Sequence, residues 1–196
     1  GTLAALAITV SGAAGAQDFP TRPIRIIVGF APGGVADTSA RAIADKLSGR
    51  LGQQVSVENR AGASGNIGAA SVAQSAPDGH TLLLAFDGTM VINPHVFAKM
   101  PVDTVRDFAH VTKLGDATLI LVAHPSVPAK NFQELLALSK SKPGTLTYGT
   151  SGTASTPHVT GELIKLRTGL DITHVPYKGG GQALIDVVGG QIPLVF

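Results

Sequence analysis

Residues 24–30 form a short, β-branched and nearly uncharged run, and at residue 31 the pattern changes abruptly. Beyond an Ala-Pro-Gly-Gly turn, apolar positions recur at Ala40, Ile43, Ala44, Leu47 and Leu51, the spacing of one helix face. The pattern predicts a buried strand followed by a helix. The alternation then repeats. Residues 55–58 read as a second strand, and the Gly-rich stretch 59–68 leads into a helix of small residues. Pro77-Asp78-Gly79 is a turn signal, and residues 81–86 read as a third strand that ends at Asp87-Gly88-Thr89. Periodicity is lost over residues 90–107. Residues 108–115 and 117–125 read as two further strands. A helix is predicted over 131–140, with Asn131 as its cap and Glu134 completing a capping box. Strands at 145–150, 171–177 and 192–196 alternate with loop-helix segments at 151–169 and 178–191. Repeated strand-helix units predict an α/β fold with mostly parallel sheets. One set of units yields to another near residue 115, where a domain crossover is expected.

Composition narrows the class. Of 196 residues, 44% are hydrophobic and 14% charged, a globular balance. A formal net charge of +2 leaves no polyanion-binding footprint, so no nucleic-acid partner is expected. The absence of cysteine excludes disulfides and thiolate metal sites. Residues 1–17 carry no charge, and the apolar stretch 3–10 is too short to span a bilayer. Ala14-Gly15-Ala16 fits a small-x-small cleavage pattern. Residues 1–16 are therefore read as a signal-peptide remnant, with Gln17 the first mature residue and export to the periplasm implied. Residues 192–196 end inside an apolar run, and further sequence is expected beyond them.

In a parallel α/β sheet, ligands bind outside the carboxyl ends of the strands. Five loops at such ends are rich in Gly, Ser and Thr: residues 30–37, 59–68, 86–89, 149–158 and 177–182. Free amides at a helix start, the helix dipole, close approach at glycine and adaptable hydroxyls together make an anion site without Arg or Lys. The ordinary alternative for each loop is a tight turn that caps a helix. Known phosphate motifs do not fit. No G-x-x-x-x-G-K-[ST] run exists, and Gly62, Gly65 and Gly68 miss the first spacing of the dinucleotide fingerprint. Residues 149–153 miss the nucleophile elbow at its last position. A secreted hydrolase using Ser151 or Ser155 with His158 thus lacks its elbow and a partner acid. His158 falls in the first turn of a predicted helix, where capping or a ligand bond explains it as well as a general base does. No H-x-x-x-H or H-E-x-x-H spacing occurs, and neither a metal nor a cofactor is expected. Asp37 has the ordinary reading of a helix cap, with orientation of the loop backbone or binding of a ligand amine as alternatives. Lys178, beside Gly179, either attracts an anion or is simply solvated.

Residues 19–47, 51–69, 76–86, 148–165 and 175–196 together resemble the periplasmic solute receptors of tripartite tricarboxylate transporters, the Bug-type extracytoplasmic receptors. The five motifs run in the family order across nearly all of the mature segment. The resemblance implies a two-lobe periplasmic-binding-protein fold that closes like a Venus flytrap, here cut short at the C-terminus. Lobe 1 is placed at 17–116 and lobe 2 at 117–196. It implies a cleft holding a small organic carboxylate (a di- or tricarboxylate, an acidic amino acid or an aromatic acid) through backbone, hydroxyls and waters. It implies neither catalysis nor a metal. The first family loop maps onto Phe30, Pro32, Gly33, Gly34 and Asp37, and the second-lobe carboxylate loop onto Thr150, Gly152, Thr153, Ser155, Thr156 and His158. Ser64, Gly65, Asp87, Thr89, Lys178 and Gly179 supply further cleft positions. Asp87 stands where small residues often occur in the family, and its charge would disfavour a diacid or select a ligand bearing an amine. Membrane permease subunits are the implied partners, with a monomeric receptor when full length. A sensor presenting the same ligand state to a signalling partner is the alternative use. A segment of this length alone is expected to bind ligand poorly and to expose a sheet edge.

Overall fold

The computed structural model describes residues 19–196. The signal-peptide reading therefore falls outside the described residues. The first sheet is wholly parallel, in the order β2-β1-β3, with β1 at Ile24–Val28, β2 at Val55–Asn59 and β3 at Thr81–Leu84. In β1 only Arg25 is exposed, while Ile24, Ile26, Ile27 and Val28 are buried. A central strand covered on both faces reads as a continuous apolar run rather than an alternating one. Helix α1, Val35–Leu51, lays Ala36, Ala40 and Ala44 against this sheet. Small residues four apart let the helix backbone come close. Gly52, at φ +64°, ends the helix in the left-handed conformation. A 3-10 turn at Ala63–Gly65 leads into α2, Asn66–Ala73.

The second sheet has the order β4-β7-β5-β6. Its strands are Val122–Ala123 (β4), Thr147–Thr150 (β5), Thr173–Pro176 (β6) and Leu194–Val195 (β7). β5 pairs in parallel with β6 and β7, and β4 pairs antiparallel with β7. Three helices accompany it: α4 at Phe132–Ser141, α5 at Thr156–Thr168 and α6 at Gly180–Val188. Its core packs Tyr148 with Val127, Leu135, Leu146, Leu170, Ile172 and Leu194. The protein is thus α/β and two-lobed, each lobe with its own sheet and core.

Two expectations need correction. Residues 108–115 and 117–125 do not form two strands. Only Val122–Ala123 pairs, and residues 111–120 are all exposed. A strand is a pairing, and among the described residues this segment meets no ladder partner before β7. Residues 90–107, where periodicity is lost, gave no expected element, yet part of this segment is helical. A π-helical turn at Gly88–Ile92 runs into the short helix α3, Asn93–Val96, directly after β3.

The α4 cap forms with one difference. Asn131 Oδ1 accepts the Glu134 amide at 3.0 Å, but the returning Glu134 Oε2 takes the Lys130 amide at 2.8 Å instead of that of Asn131. Asn131→Ala is expected to cost about 1 kcal/mol, read as a lower denaturation midpoint. An unchanged midpoint would show that water replaces the cap without loss.

Candidate functional site

The carboxyl ends of β1, β2, β5 and β6 meet between the lobes and enclose a cavity of about 270 Å³. Lobe 1 contributes Gly29 and Phe30 after β1, Gly62, Ala63 and Ser64 after β2, and Phe97 after α3. Lobe 2 contributes Ser151, Gly152 and Thr153 after β5, and Pro176, Tyr177 and Lys178 at the end of β6.

Both loops that face one another are bent into conformations that ordinary residues seldom adopt. Gly62, Ala63, Ser64 and Gly65 all have positive φ, at +139°, +46°, +52° and +94°. Gly152 and Ala154 follow suit at +140° and +66°. Such bends turn successive amides toward one side and make concave anion sites. The amides of Phe30, Ala63, Ser64, Ser151 and Thr153 donate to no acceptor among the described residues. Phe30 and Ser64 are nevertheless buried. Buried amides without partners are rare in folded proteins, and these two both come from the lobe 1 wall. Across the cavity Ser151 is half-buried and Thr153 exposed, so their amides, like that of exposed Ala63, are within reach of solvent or a ligand.

Each wall is braced from behind. Ser64 O accepts Thr89 Oγ1 at 2.9 Å and Asn93 Nδ2 at 3.0 Å, and Asn93 Nδ2 also reaches Asn66 Oδ1 at 2.8 Å. Asn93 is fully buried. Gly65 has no room for a side chain, since a Cβ would lie 2.4 Å from Thr89 Oγ1. On lobe 2, Ser155 Oγ donates to Gly152 O at 2.6 Å, and the Ala154 amide donates to His158 Nδ1 at 3.0 Å. Thr150 Oγ1 lies 2.7 Å from His174 Nε2 and accepts the Gly152 amide at 3.3 Å. The His158 and His174 rings stack, 3.9 Å between centroids. Burial lowers the pKa of both, that of His174 to about 4, so both are neutral at pH 7. Tyr177 donates to Asp186 Oδ2 at 2.6 Å, and burial with this bond pushes its hydroxyl up to about 12.

Among the described residues, three hydrogen bonds cross directly between the lobes. Ala31 N donates to Lys178 O at 2.9 Å, Ser64 Oγ donates to Thr153 O, and Thr156 Oγ1 donates to Asp87 Oδ1 at 2.7 Å. Asp87 Oδ1 also accepts the Gly88 amide at 2.8 Å. This carboxylate serves a helix start and a lobe-to-lobe bond, and it is not part of the cavity wall.

Of the residues expected at the cleft, the structure brings Phe30, Ser64, Gly152, Thr153 and Lys178 to the cavity. Gly65, Thr89, Thr150, Ser155 and His158 brace its walls, and Thr156 lies with Asp87 at the seam. Pro32, Gly33 and Gly34 do not line the cavity. Gly33 and Gly34 abut Gly180 and Gly181 at the start of α6, and a Cβ on Gly181 would lie 2.9 Å from Gly33 C. Gly179 similarly abuts Ala31. Asp37 is not the cap residue of α1, which is Gly34. It sits in the first turn and accepts the Gly33 amide at 3.0 Å, Arg41 Nε at 3.1 Å and Asn59 Nδ2 at 2.9 Å. The Arg41 guanidinium, with the Gly33 amide and Asn59, holds its carboxyl at about 2. Sequence reading missed Phe97, Asn93 and His174, and had Tyr177 only as the first residue of the candidate loop 177–182. The three missed residues lie outside the Gly-rich loops and carried no signal in sequence.

Neither Ser151 nor Ser155 bonds His158, whose Nδ1 is taken by Ala154. Among the described residues, no group of three or more His, Cys, Asp or Glu could hold a metal ion, and no helix is long and apolar enough to cross a membrane.

The family model described as "Tripartite tricarboxylate transporter family receptor" matches residues 39–196. Protein BugT of Bordetella pertussis is 39% identical over 178 residues, covering 90% of this chain and 55% of that protein. A solved structure of a periplasmic transporter is 45% identical with a TM-score of 0.88, covering 91% of this chain and 60% of that one. An R. palustris protein solved with adipate is 37% identical with a TM-score of 0.87, covering 90% and 59%. The chain spans about half the length of the curated relatives it matches.

Proposed function

Because the chain belongs to the tripartite tricarboxylate transporter receptor family, whose receptors are periplasmic solute-binding proteins with a two-lobe fold, we propose that it captures a small organic carboxylate in the cleft between its lobes and delivers it to the membrane permease subunits of such a transporter. The observation that carries this is the set of five unpartnered amides, from Phe30, Ala63, Ser64, Ser151 and Thr153, on the two walls of one cavity. A carboxylate offers acceptor oxygens that such amides need. Phe30, Phe97 and Tyr177 supply an apolar surround for the carbon skeleton. The Thr153 hydroxyl adds an adaptable donor, while that of Ser64 is taken by the lobe-to-lobe bond, and Lys178 lines the cavity.

A cavity of about 270 Å³ suits a compact acid. A ligand touching both walls would add to the three lobe-to-lobe bonds and shift a hinge equilibrium toward the closed form, the form read by the permease. In this reading lobe 1 occupies 17–116 and lobe 2 occupies 117–196. The exported precursor is cleaved after Ala16.

The test uses the mature protein expressed from its complete reading frame. Thermal and chemical unfolding is followed with adipate, tricarboxylates, acidic amino acids and aromatic acids, and with adipamide as an uncharged control. The expected result is that one carboxylate, at a hundred times its dissociation constant, adds about 2.7 kcal/mol of stability, and that adipamide adds none. Folded protein that no carboxylate stabilises would overturn the proposal.

A further inference from the structure

We propose that the stacked His158–His174 pair positions the cavity-facing loop of lobe 2 only while His158 is neutral, so that acidification loosens this loop and releases the bound acid. The inference rests on the carboxylate reading of the cavity. Neither ring lines the cavity, so both act through residues 150–154.

The geometry grips this loop at both ends. At one end, Ala154 holds φ +66°, a conformation disfavoured for a residue with a Cβ. Its amide donates to His158 Nδ1. That nitrogen can accept only if it carries no proton, whereas an imidazolium has donors alone. Protonation therefore sets one N–H against another and removes the bond that keeps Ala154 in place. At the other end, His174 Nε2 bonds Thr150 Oγ1, which also accepts the Gly152 amide. Between these ends lie the unpartnered amides of Ser151 and Thr153.

The two rings are coupled by their contact. With centroids 3.9 Å apart and planes 25° from parallel, two imidazolium charges would repel strongly. The titratable groups that face the pair are Tyr148 from β5 and Glu162 and Lys165 from α5. The Glu162 carboxylate is the one group favouring protonation, and it is already engaged. Glu162 Oε1 accepts both the Tyr148 hydroxyl and Lys165 Nζ, each at 2.9 Å. Lys165 adds a positive charge that opposes protonation. Burial then decides, lowering the pKa of both rings, that of His174 to about 4. The sign follows. The loop is held at neutral pH and is lost as pH falls from the ordinary histidine value toward that of the buried pair.

The test has a ligand-free arm and a ligand arm, both on the complete mature protein. With ¹³C-labelled histidine rings and ¹⁵N-alanine, the His158 ring and the Ala154 amide are expected to shift together, with one midpoint below the ordinary histidine value. In His158→Asn, which places an untitratable acceptor near the position of Nδ1, the Ala154 amide is expected to stay still over the same range. His158→Leu, with no acceptor, is expected to shift it already at pH 7. In the ligand arm, adipate affinity of the wild type should fall about tenfold more than that of His158→Asn between pH 7 and about pH 4. The variant controls for titration of adipate itself. A His158 ring that titrates at the ordinary value without change at Ala154 would overturn the proposal. So would an Asn variant with the full wild-type pH dependence. If no carboxylate binds at any pH, the receptor reading fails, while the ring and amide titration still decides whether the pair positions the loop.

Discussion

Tyr148→Ala is expected to destabilise lobe 2 by about 3–5 kcal/mol, the range for removing a large buried aromatic side chain. The side chain has no exposed surface and sits at the centre of the second core. Its ring meets Phe196 edge-on at 5.8 Å and lies 5.3 Å from the His174 ring. It also packs on the backbone of α5. A Cβ on Gly161 would lie 2.6–2.7 Å from ring atoms and the hydroxyl oxygen, so helix and ring are already in contact. An Ala at 148 leaves a cavity that a glycine-faced helix and a paired strand cannot refill. Tyr148→Phe separates the two contributions of the side chain. It keeps the ring and removes only the 2.9 Å bond to Glu162, which retains Lys165. Its expected cost is about 1 kcal/mol. Against a typical total of about 5–15 kcal/mol, the first change approaches unfolding and the second does not. The chain has no tryptophan, so denaturant unfolding is best followed by far-ultraviolet circular dichroism. Equal losses for the two variants would show that the site collapses around the smaller residue.

How far the chain could be read without its structure depended on whether a feature is local. β1 and α1 were legible because a β-branched run and the helical spacing of Ala40, Ile43, Ala44, Leu47 and Leu51 declare themselves locally. The α4 cap was legible for the same reason. Residues 108–121 were not, because the hydrophobic pattern there suits a strand but no partner meets it among the described residues. The candidate site divides similarly. Phe30, Ser64, Gly152 and Thr153 follow strand ends with Gly-rich loops, and such loops must lie at the mouth of a parallel sheet. Phe97 reaches the cavity only because a π-helical turn and α3 follow β3 directly. Asn93 and His174 look like ordinary polar residues in sequence. Their roles arise from what lies behind them, the Ser64 carbonyl and the Thr150 hydroxyl. The Pro32–Gly34 turn shows the same limit. Its glycines signal close approach, and the structure supplies the approaching group as the start of α6.

Asp37→Asn is expected to cost about 2 kcal/mol at neutral pH and to flatten the acid end of the stability profile. Asp37 ties the turn after β1 to the rest of lobe 1 through the Gly33 amide, Arg41 and Asn59. All three partners donate. An ionised carboxylate accepts from all of them, whereas the amide NH₂ of Asn turns a donor toward at least one. The side chain is only 5% exposed, so the mismatched donor is not readily solvated, although Arg41 itself is half exposed and softens the loss. The sign with pH follows from the carboxyl held at about 2, below its ordinary 3.8. Its stabilisation is complete above the ordinary value and is lost as pH falls through the folded value. A shift of this size corresponds to about 2 kcal/mol, in line with the mutational estimate. Asp78, also held at about 2, contributes acid dependence of its own, and that part stays in both proteins. The comparison is therefore the difference between the two profiles from about pH 5 to about pH 1.5. Parallel profiles would mean that the Asp37 interactions persist in the unfolded chain, where Arg41 lies four residues away. Convergence at the acid end would place them in the folded turn. That turn stands against the first residues of α6, so a loosened Gly33–Gly34 also weakens the approach of the two lobes. A receptor that depends on that approach should lose ligand affinity in Asp37→Asn by more than its thermal stability alone explains.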